Sequence, residues 1–362
     1  MLKQRPENPQ KSDENRMNTE KQMETLLLSA ADIETAAQIL KRGGLVAIPT
    51  ETVYGLAADA FQPEAVKQIF VAKGRPQDNP LIAHIAQWEQ IQTLAAEIPP
   101  EARLLAEKFW PGPLTMILKR RPEVPDVVTA GLETVAIRFP VHPLAQKIIA
   151  AAGTPLAAPS ANLSGSPSPT TAAHVMADLG GRIDAVLDGG ASDVGLESTI
   201  VSLAGGVPRL LRPGGITYEQ LTDVLGEVII DKAVRQKIAD TERVSAPGMK
   251  YRHYAPEAPV QAVCGSGEAS AAYIRTRIAS STERCAVICY AEFSGAFGET
   301  PCIPYGSEQN LATLAHGLFG ALRDADRLKT DRIFIQCPPD GGIGLAVANR
   351  IKKAAGFDVV SV

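Results

Sequence analysis

Apolar positions recur at helical spacing at Ile33, Ala36, Ala37 and Leu40, behind a Ser29-Ala30-Ala31-Asp32 stretch with the chemistry of a capping box. Gly43-Gly44 stops that helix, and Leu45-Val46-Ala47-Ile48 is wholly apolar, as a strand buried on both faces is. Pro63 suits the first turn of a second helix that carries Val66, Ile69 and Phe70 and stops at Gly74. A strand over 81–85, a helix over 101–108, strands over 114–118 and 135–139 and a helix opened by Pro143 follow. Short apolar runs at 156–158, 185–187 and 199–201 complete the strands. Helices and strands do not alternate strictly, so the pattern predicts a mixed, twisted α/β sheet and not a regular doubly wound one.

Between about Pro213 and Pro259 the periodicity loosens, and Ala246-Pro247-Gly248, Ala255-Pro256 and Ala258-Pro259 mark extended chain, because proline and the residue before it both resist helix. A second α/β pattern follows, with strands over 260–263, 286–289 and 332–335 and helices over 269–278 and 311–328. A chain of 362 residues is long for one core. The expected division is a disordered polar tail over 1–24, a first domain over 25–225, a linker over 226–258 and a smaller parallel-sheet domain over 259–362.

Composition narrows the function classes. A net charge of -4 with 21% charged residues argues against a strongly basic nucleic-acid binder, although not against a local basic groove. No apolar run approaches the ~18 residues of a membrane span, and the first 24 residues lack the apolar segment of a signal peptide. The 5 cysteines fall between Cys264 and Cys337 without a CxxC pair, which reads as buried thiols in a reducing compartment. A soluble cytoplasmic protein is expected, with no membrane partner.

Several polar groups then stand at strand ends, where α/β proteins place ligands. Thr50, Glu51, Thr52 and Tyr54 follow the strand 45–48; the bland alternative is a polar turn around a packed tyrosine. Lys73 and Arg75 flank Gly74, with Asn79 and His84 beyond; such a pair suits a triphosphate, the arginine forking onto two oxygens and the lysine acting as a point charge, or is two solvated cations at a helix end. Ser160 and Asn162 offer a hydroxyl and an amide directly after another strand, and Thr170 is expected at a helix N-cap. Thr134 and Arg138 lie on one strand; an arginine on an apolar strand is costly unless paired, so Arg138 is a strong candidate for an anion. Ser198 enters the next strand, and Arg212 precedes Pro213-Gly214. The chain has no Walker loop, no HExxH, no clustered Cys/His set and no GxSxG elbow, and Gly342-Ile343-Gly344 is a weak echo of a nucleotide-binding turn.

Taken together the segments PTETVYGL (49–56), KGRPxxNPLIxH (73–84), WPGPLT (110–115), VAIRFPxHP (135–143), PSANxSG (159–165), ESTIV (197–201) and RPGxI (212–216) resemble the YrdC-like family of threonylcarbamoyl-AMP synthases. The SAPGMKYRHYAP stretch over 245–256 resembles the linker of that family's longer, two-domain form, in which the linker crosses the mouth of the active site as a lid and a Rossmann-like domain follows. The resemblance implies an L-threonylcarbamoyladenylate synthase, a nucleotidyltransferase that joins L-threonine, bicarbonate and ATP and releases pyrophosphate. Its product would serve N6-threonylcarbamoyladenosine formation at position 37 of tRNAs decoding ANN codons, through a separate tRNA threonylcarbamoyl transferase machinery, with direct tRNA contact left open. By similarity, Lys73, Arg75, Ser160 and Asn162 form the catalytic set. Asn79, Thr134, Thr170, Arg212 and Tyr254 complete the ATP contacts. Thr50, Thr52, His84, Arg138, Ser160 and Ser198 hold threonine, Arg138 on its carboxylate. Mg²⁺ would arrive with ATP. Two other readings compete: an RNA-binding or ribosome-maturation module on the same face, and a carbamoyl transferase. The first has no use for an amino-acid pocket, and the second comes in relatives whose zinc-finger-like cysteines and acylphosphatase segments this chain lacks.

Overall fold

The computed structural model describes residues 24–236, 246–247 and 253–362. The tail expected over 1–24, apart from its last residue, and residues 245 and 248–252 of the 245–256 stretch lie outside the described residues.

Short apolar runs that must hide both faces can do so only side by side, and here they assemble into two sheets. The first is 11-stranded, in the order β1-β8-β2-β3-β7-β4-β6-β5-β9-β10-β11. Its strands are β1 (Leu26–Leu28), β2 (Val46–Ile48), β3 (Gly55–Asp59), β4 (Ile82–His84), β5 (Leu114–Lys119), β6 (Thr134–Arg138), β7 (Leu156–Ala157), β8 (Ala185–Leu187), β9 (Thr199–Ser202), β10 (Arg209–Arg212) and β11 (Ile229–Ile230). Parallel pairs such as β4 with β6 and β5 with β9 alternate with antiparallel ones such as β2 with β3 and β5 with β6, so the sheet is mixed, as the irregular alternation predicts. Ile69 and Phe70 of the helix Pro63–Lys73 pack on one face with Leu105, Leu114 and Ile137. Each such fully buried side chain contributes roughly 1.5–3 kcal/mol of apolar burial.

The second sheet is 5-stranded and entirely parallel, in the order β14-β13-β15-β12-β16. It comprises β12 (Val260–Cys264), β13 (Cys285–Cys289), β14 (Cys302–Pro304), β15 (Arg332–Cys337) and β16 (Val359–Ser361). The helices Leu311–Arg327 and Gly344–Ala354 contribute Leu318, Phe319, Leu322 and Ile351 to its core, and all five cysteines are free.

The structure departs from the sequence expectation at three places. β3, made of Gly55-Leu56-Ala57-Ala58-Asp59, has weak strand propensity and forms because the turn at 50–53 folds it back antiparallel on β2. The stretch 226–258, expected as linker, begins with ordered chain: β11 extends the first sheet beside β10, and a short helix Lys232–Arg235 follows. These pieces are too short to show a period. The helix N-cap near 170 is Thr171, whose side chain accepts from the His174 amide; Thr170 stands one residue outside.

Val53 and Leu196, from the first sheet's loops, belong to the apolar cluster of the second unit with Leu314 and Leu318. Gly195 marks the closest approach: its φ is +76°, and an added Cβ would lie 2.6 Å from Cα of His316 and 2.7 Å from the Ala315 carbonyl. Both the left-handed backbone and the helix surface therefore demand glycine. Gly195→Ala is expected to destabilise the protein by about 2 kcal/mol or more in denaturant unfolding; a change under about 0.5 kcal/mol would mean the helix does not press on this loop.

Candidate active site

The turn between β2 and β3 is wound around one hydroxyl. Thr50 Oγ1 donates to the Val53 carbonyl at 2.6 Å, receives the Thr52 and Val53 amides at 3.2 and 3.3 Å, and meets Thr52 Oγ1 at 2.8 Å. With its one proton given to Val53, it accepts from Thr52. Thr52 in turn accepts from Nη1 of Arg138 at 2.7 Å. A directed chain thus runs from Arg138 through both threonines into the backbone.

Arg138 and His84 come together because β4 and β6 are parallel neighbours and His84 stands opposite Arg138, at the C-terminal ends where ligands bind in such sheets. Arg138 is 4% exposed, and its Nη2 lies 2.7 Å from Oε1 of Glu51, itself buried. That contact is an ion pair without the alignment of a hydrogen bond, so Nη2 and both Glu51 oxygens keep hydrogen-bonding capacity. The cation that was costly on an apolar strand is therefore met from within the chain, by a carboxylate of the 49–56 segment.

On the far side, Lys73 ends the helix Pro63–Lys73 and sends its ammonium to the Ser160 and Asn162 carbonyls, each at 2.5 Å. Burial first, then the neighbouring Arg75, pushes Lys73 well below the ordinary lysine range. Arg75 Nη2 donates to the Asn79 and Pro80 carbonyls at 3.4 and 3.3 Å. Asn162 gives its amide protons to the Leu163 and Ser166 carbonyls, while its buried Oδ1 has no donor among the described residues. It is an acceptor with unused capacity.

The third wall comes from the ends of β9 and β10. Ser198 Oγ lies 2.7 Å from Thr115 Oγ1 and accepts from Nη2 of Arg212 at 3.1 Å; Nε of Arg212 donates to the Ser198 carbonyl at 3.0 Å. Burial brings Arg212 down to about 10, which leaves it charged at neutral pH. Tyr254 closes the site with its ring stacked obliquely on Phe319, 5.1 Å between centroids, and burial pushes its phenol up to about 12.

These walls line one cleft that is partly open to solvent. Of the residues singled out from the sequence, Thr50, Thr52, Lys73, Arg75, His84, Arg138, Ser160, Asn162, Ser198, Arg212 and Tyr254 line it. Three do not. Thr134 opens β6 opposite Lys119, roughly 13 Å along the strand from Arg138, so a strand places the two at opposite ends. Thr170 points its hydroxyl at His174 Nδ1, 3.4 Å away, and Asn79 lies buried behind Arg75. Sequence reasoning noticed Glu51 at a strand end and Glu197 before another strand without assigning either a partner, and it passed over Arg350. The two glutamates sit inside recognised motifs, and Arg350, with Asn349 and Lys353, is a polar interruption of the apolar helix Gly344–Ala354.

His84 is buried, with Nδ1 3.1 Å from the Ile82 carbonyl; burial, then Arg138, brings it down to about 3, so the ring is neutral at pH 7. The folded protein then binds fewer protons than the unfolded chain below the ordinary value of 6.5, and stability is lost as pH falls from there toward 3. Glu197 acts in the same direction lower down: burial would raise it, but Arg350 and Arg212 hold it at about 2 against an ordinary 4.5. Thermal unfolding is expected at lower temperature at pH 5 than at pH 7, with roughly 1 kcal/mol lost per pH unit to His84 alone. His84→Gln should flatten the slope between pH 6.5 and 4.5; a slope equal to that of the parent would assign the loss elsewhere.

Among the described residues no helix is long and apolar enough to cross a membrane. A family model described as telomere recombination (Sua5, YciO, YrdC) matches residues 38–214, and one described as threonylcarbamoyl-AMP synthase, C-terminal domain, matches 216–356. The chain is 47% identical to the threonylcarbamoyl-AMP synthase of Pyrococcus abyssi over 330 residues, 91% of this chain and 96% of that protein. It is 47% identical to that of Bacillus subtilis over 329 residues, 91% of this chain and 94% of the other. The crystal structure of P. abyssi Sua5 complexed with L-threonine superposes with a TM-score of 0.87 at 44% identity, covering 93% of this chain and 100% of that one. Sequence motifs, two-sheet architecture and full-length relatives agree, and the chain belongs to the two-domain Sua5 family of threonylcarbamoyl-AMP synthases.

Proposed function

We propose that the cleft binds L-threonine at the Arg138 end and Mg²⁺-ATP at the Lys73, Arg75 and Arg212 end, and joins them through bicarbonate into L-threonylcarbamoyladenylate. The observation that carries this reading is the convergence of two unlike half-sites in one cleft: a neutral imidazole, hydroxyls and one guanidinium beside a cluster of three cations. The L-threonine complex of the P. abyssi relative supports the first half.

The chemistry balances without a protein nucleophile. Threonine's amine attacks bicarbonate, and water leaves to give a carbamate. A carbamate oxygen then attacks the α-phosphorus of ATP, and the bond to the β-phosphate oxygen breaks with release of pyrophosphate. The protein's work is to hold the reactants in line, neutralise phosphate charge and exclude water. Arg138 takes the threonine carboxylate with Glu51 fixing its plane, and Ser198 and Thr52 present hydroxyls beside it. Lys73 and Arg75 flank the triphosphate together with Ser160 and Asn162, Arg212 adds a third cation, and Tyr254 covers the nucleotide. Thr50 supports the turn from behind, Asn79 acts through Arg75, and Thr134 and Thr170 take no part in this arrangement. Mg²⁺ would arrive with ATP and screen its phosphate charge; of the buried carboxylates, Glu197 is bonded to Arg350, and Glu51 is ion-paired with Arg138. The product would go to adenosine 37 of ANN-decoding tRNAs through a separate transferase, in the cytoplasm.

Pyrophosphate release from Mg²⁺-ATP should depend on both L-threonine and bicarbonate. Arg75→Ala should lower it by about 100-fold or more, the usual cost of removing one preorganised charge at a reacting phosphate. Arg138→Lys should raise the threonine KM about tenfold or more with the ATP KM little changed, because an ammonium cannot fork onto a carboxylate. ATP turnover indifferent to threonine would overturn the reading.

A further inference from the structure

Beside the packing of Phe319 on Tyr254, the second unit of the chain reaches the walls of the cleft with a buried arginine. Arg350, on the helix Gly344–Ala354, is 0% exposed. Its Nε donates to Oε2 of Glu197 at 3.0 Å and its Nη2 to the Glu197 carbonyl at 3.3 Å. Nη1 donates to the Pro213 carbonyl at 2.6 Å and to Asn349 Oδ1 at 3.2 Å. The same helix is anchored by Asn349, whose Nδ2 donates to the Val234 carbonyl at 2.8 Å.

Glu197 and Pro213 are the chain neighbours of Ser198 and Arg212, which line the cleft. The two backbones they sit on are pressed together: a Cβ on Gly214 would lie 2.4 Å from the Thr199 amide and 2.5 Å from the Glu197 carbonyl. Arg350 grips both, and its guanidinium lies 6.0 Å from the centroid of the Tyr254 ring, which lines the cleft together with Glu197. Its charge matters as much as its reach. Glu197 already receives Ser168 Oγ on its other oxygen, and it is also the carboxylate that acts most strongly on Arg212. With Glu197 matched by Arg350, the Arg212 guanidinium stays turned to Ser198 and to the cleft; without Arg350, Glu197 would draw Arg212 to itself.

We infer that Arg350 is a positioning residue of the active site, supplied by the C-terminal unit, which holds Ser198 in place and keeps the charge of Arg212 available to a bound anion. The inference rests on the proposed function for its readout in turnover, but not for its readout in structure.

Three variants test it: Arg350→Lys, Arg350→Met, and the double variant Arg350→Met with Glu197→Gln, which removes both charges and leaves no carboxylate unpaired. Arg350→Lys and the double variant should melt close to the parent protein yet show the ATP KM raised about tenfold or more, because neither restores the fork to Glu197 and Pro213. A double variant that melts like the parent and turns over within twofold of it would overturn the inference, and so would loss of folding in all three, which would make Arg350 a structural staple only. Should the parent itself release no threonine-dependent pyrophosphate, the proposed function fails, and amide hydrogen exchange across 196–201 and 210–214 decides the inference separately. Faster exchange there in Arg350→Lys, with the rest of the chain unchanged, supports it; identical exchange overturns it.

Discussion

A guanidinium taken out of water has to be met by a carboxylate or by fixed dipoles, and both ends of this cleft are built around that requirement. At one end Arg138 meets Glu51 and a chain of threonine hydroxyls. At the other, Glu197 stands among Arg212, Arg350 and the buried Lys353, with Arg350 bonded to it directly. Such pairs contribute little net stability, since desolvation offsets most of the attraction, but they leave few other arrangements for the backbone. The turn between β2 and β3, the ends of β9 and β10 and the packing of the helix Gly344–Ala354 are fixed by the same few contacts.

That arrangement also sets the character of the titratable groups in the cleft. A neutral His84 cannot repel a cationic amine, and a charged Arg212 directs its hydrogen bonds to Ser198 and not to its nearest carboxylate, Glu197. Lys73, desolvated and tied to two carbonyls, is held in one place, unlike a flexible surface lysine. Such an environment suits the proposed reaction, in which charge moves between substrates and no bond to the protein forms.

The second sheet takes part through its helices and not through its strands. Helix Leu311–Arg327 presses on the loop at Gly195, and Arg323 of that helix pairs with Asp178 at 2.8 Å beneath the 159–167 segment, while its Nη2 reaches the Pro167 carbonyl. Two of the three cleft walls are thereby braced from the C-terminal unit. The parallel sheet behind supplies the rigid core on which those helices rest.

Most elements were legible along the chain, because apolar period, prolines at helix starts and glycines at helix ends are local signals: the helices at Pro63 and Pro143 and the strands over 114–118 and 135–139 lie where those signals put them. Eleven of the chemical residues could likewise be chosen one motif at a time. What local chemistry could not carry was direction and partnership. Thr134 and Arg138 share a strand, yet a pleated strand sets its ends roughly 13 Å apart, so only one faces the cleft. β3 and β11 have no period of their own and exist because a neighbouring strand offers them a ladder. Glu51 read only as one polar group at a strand end, and Arg350 drew no notice, until folding buried each against a specific opposite charge, and burial is a property of the whole chain. The sequence by itself determined which groups are available to this protein; the tertiary structure decided which of them are taken out of water together, and that is what turns a charge into a site.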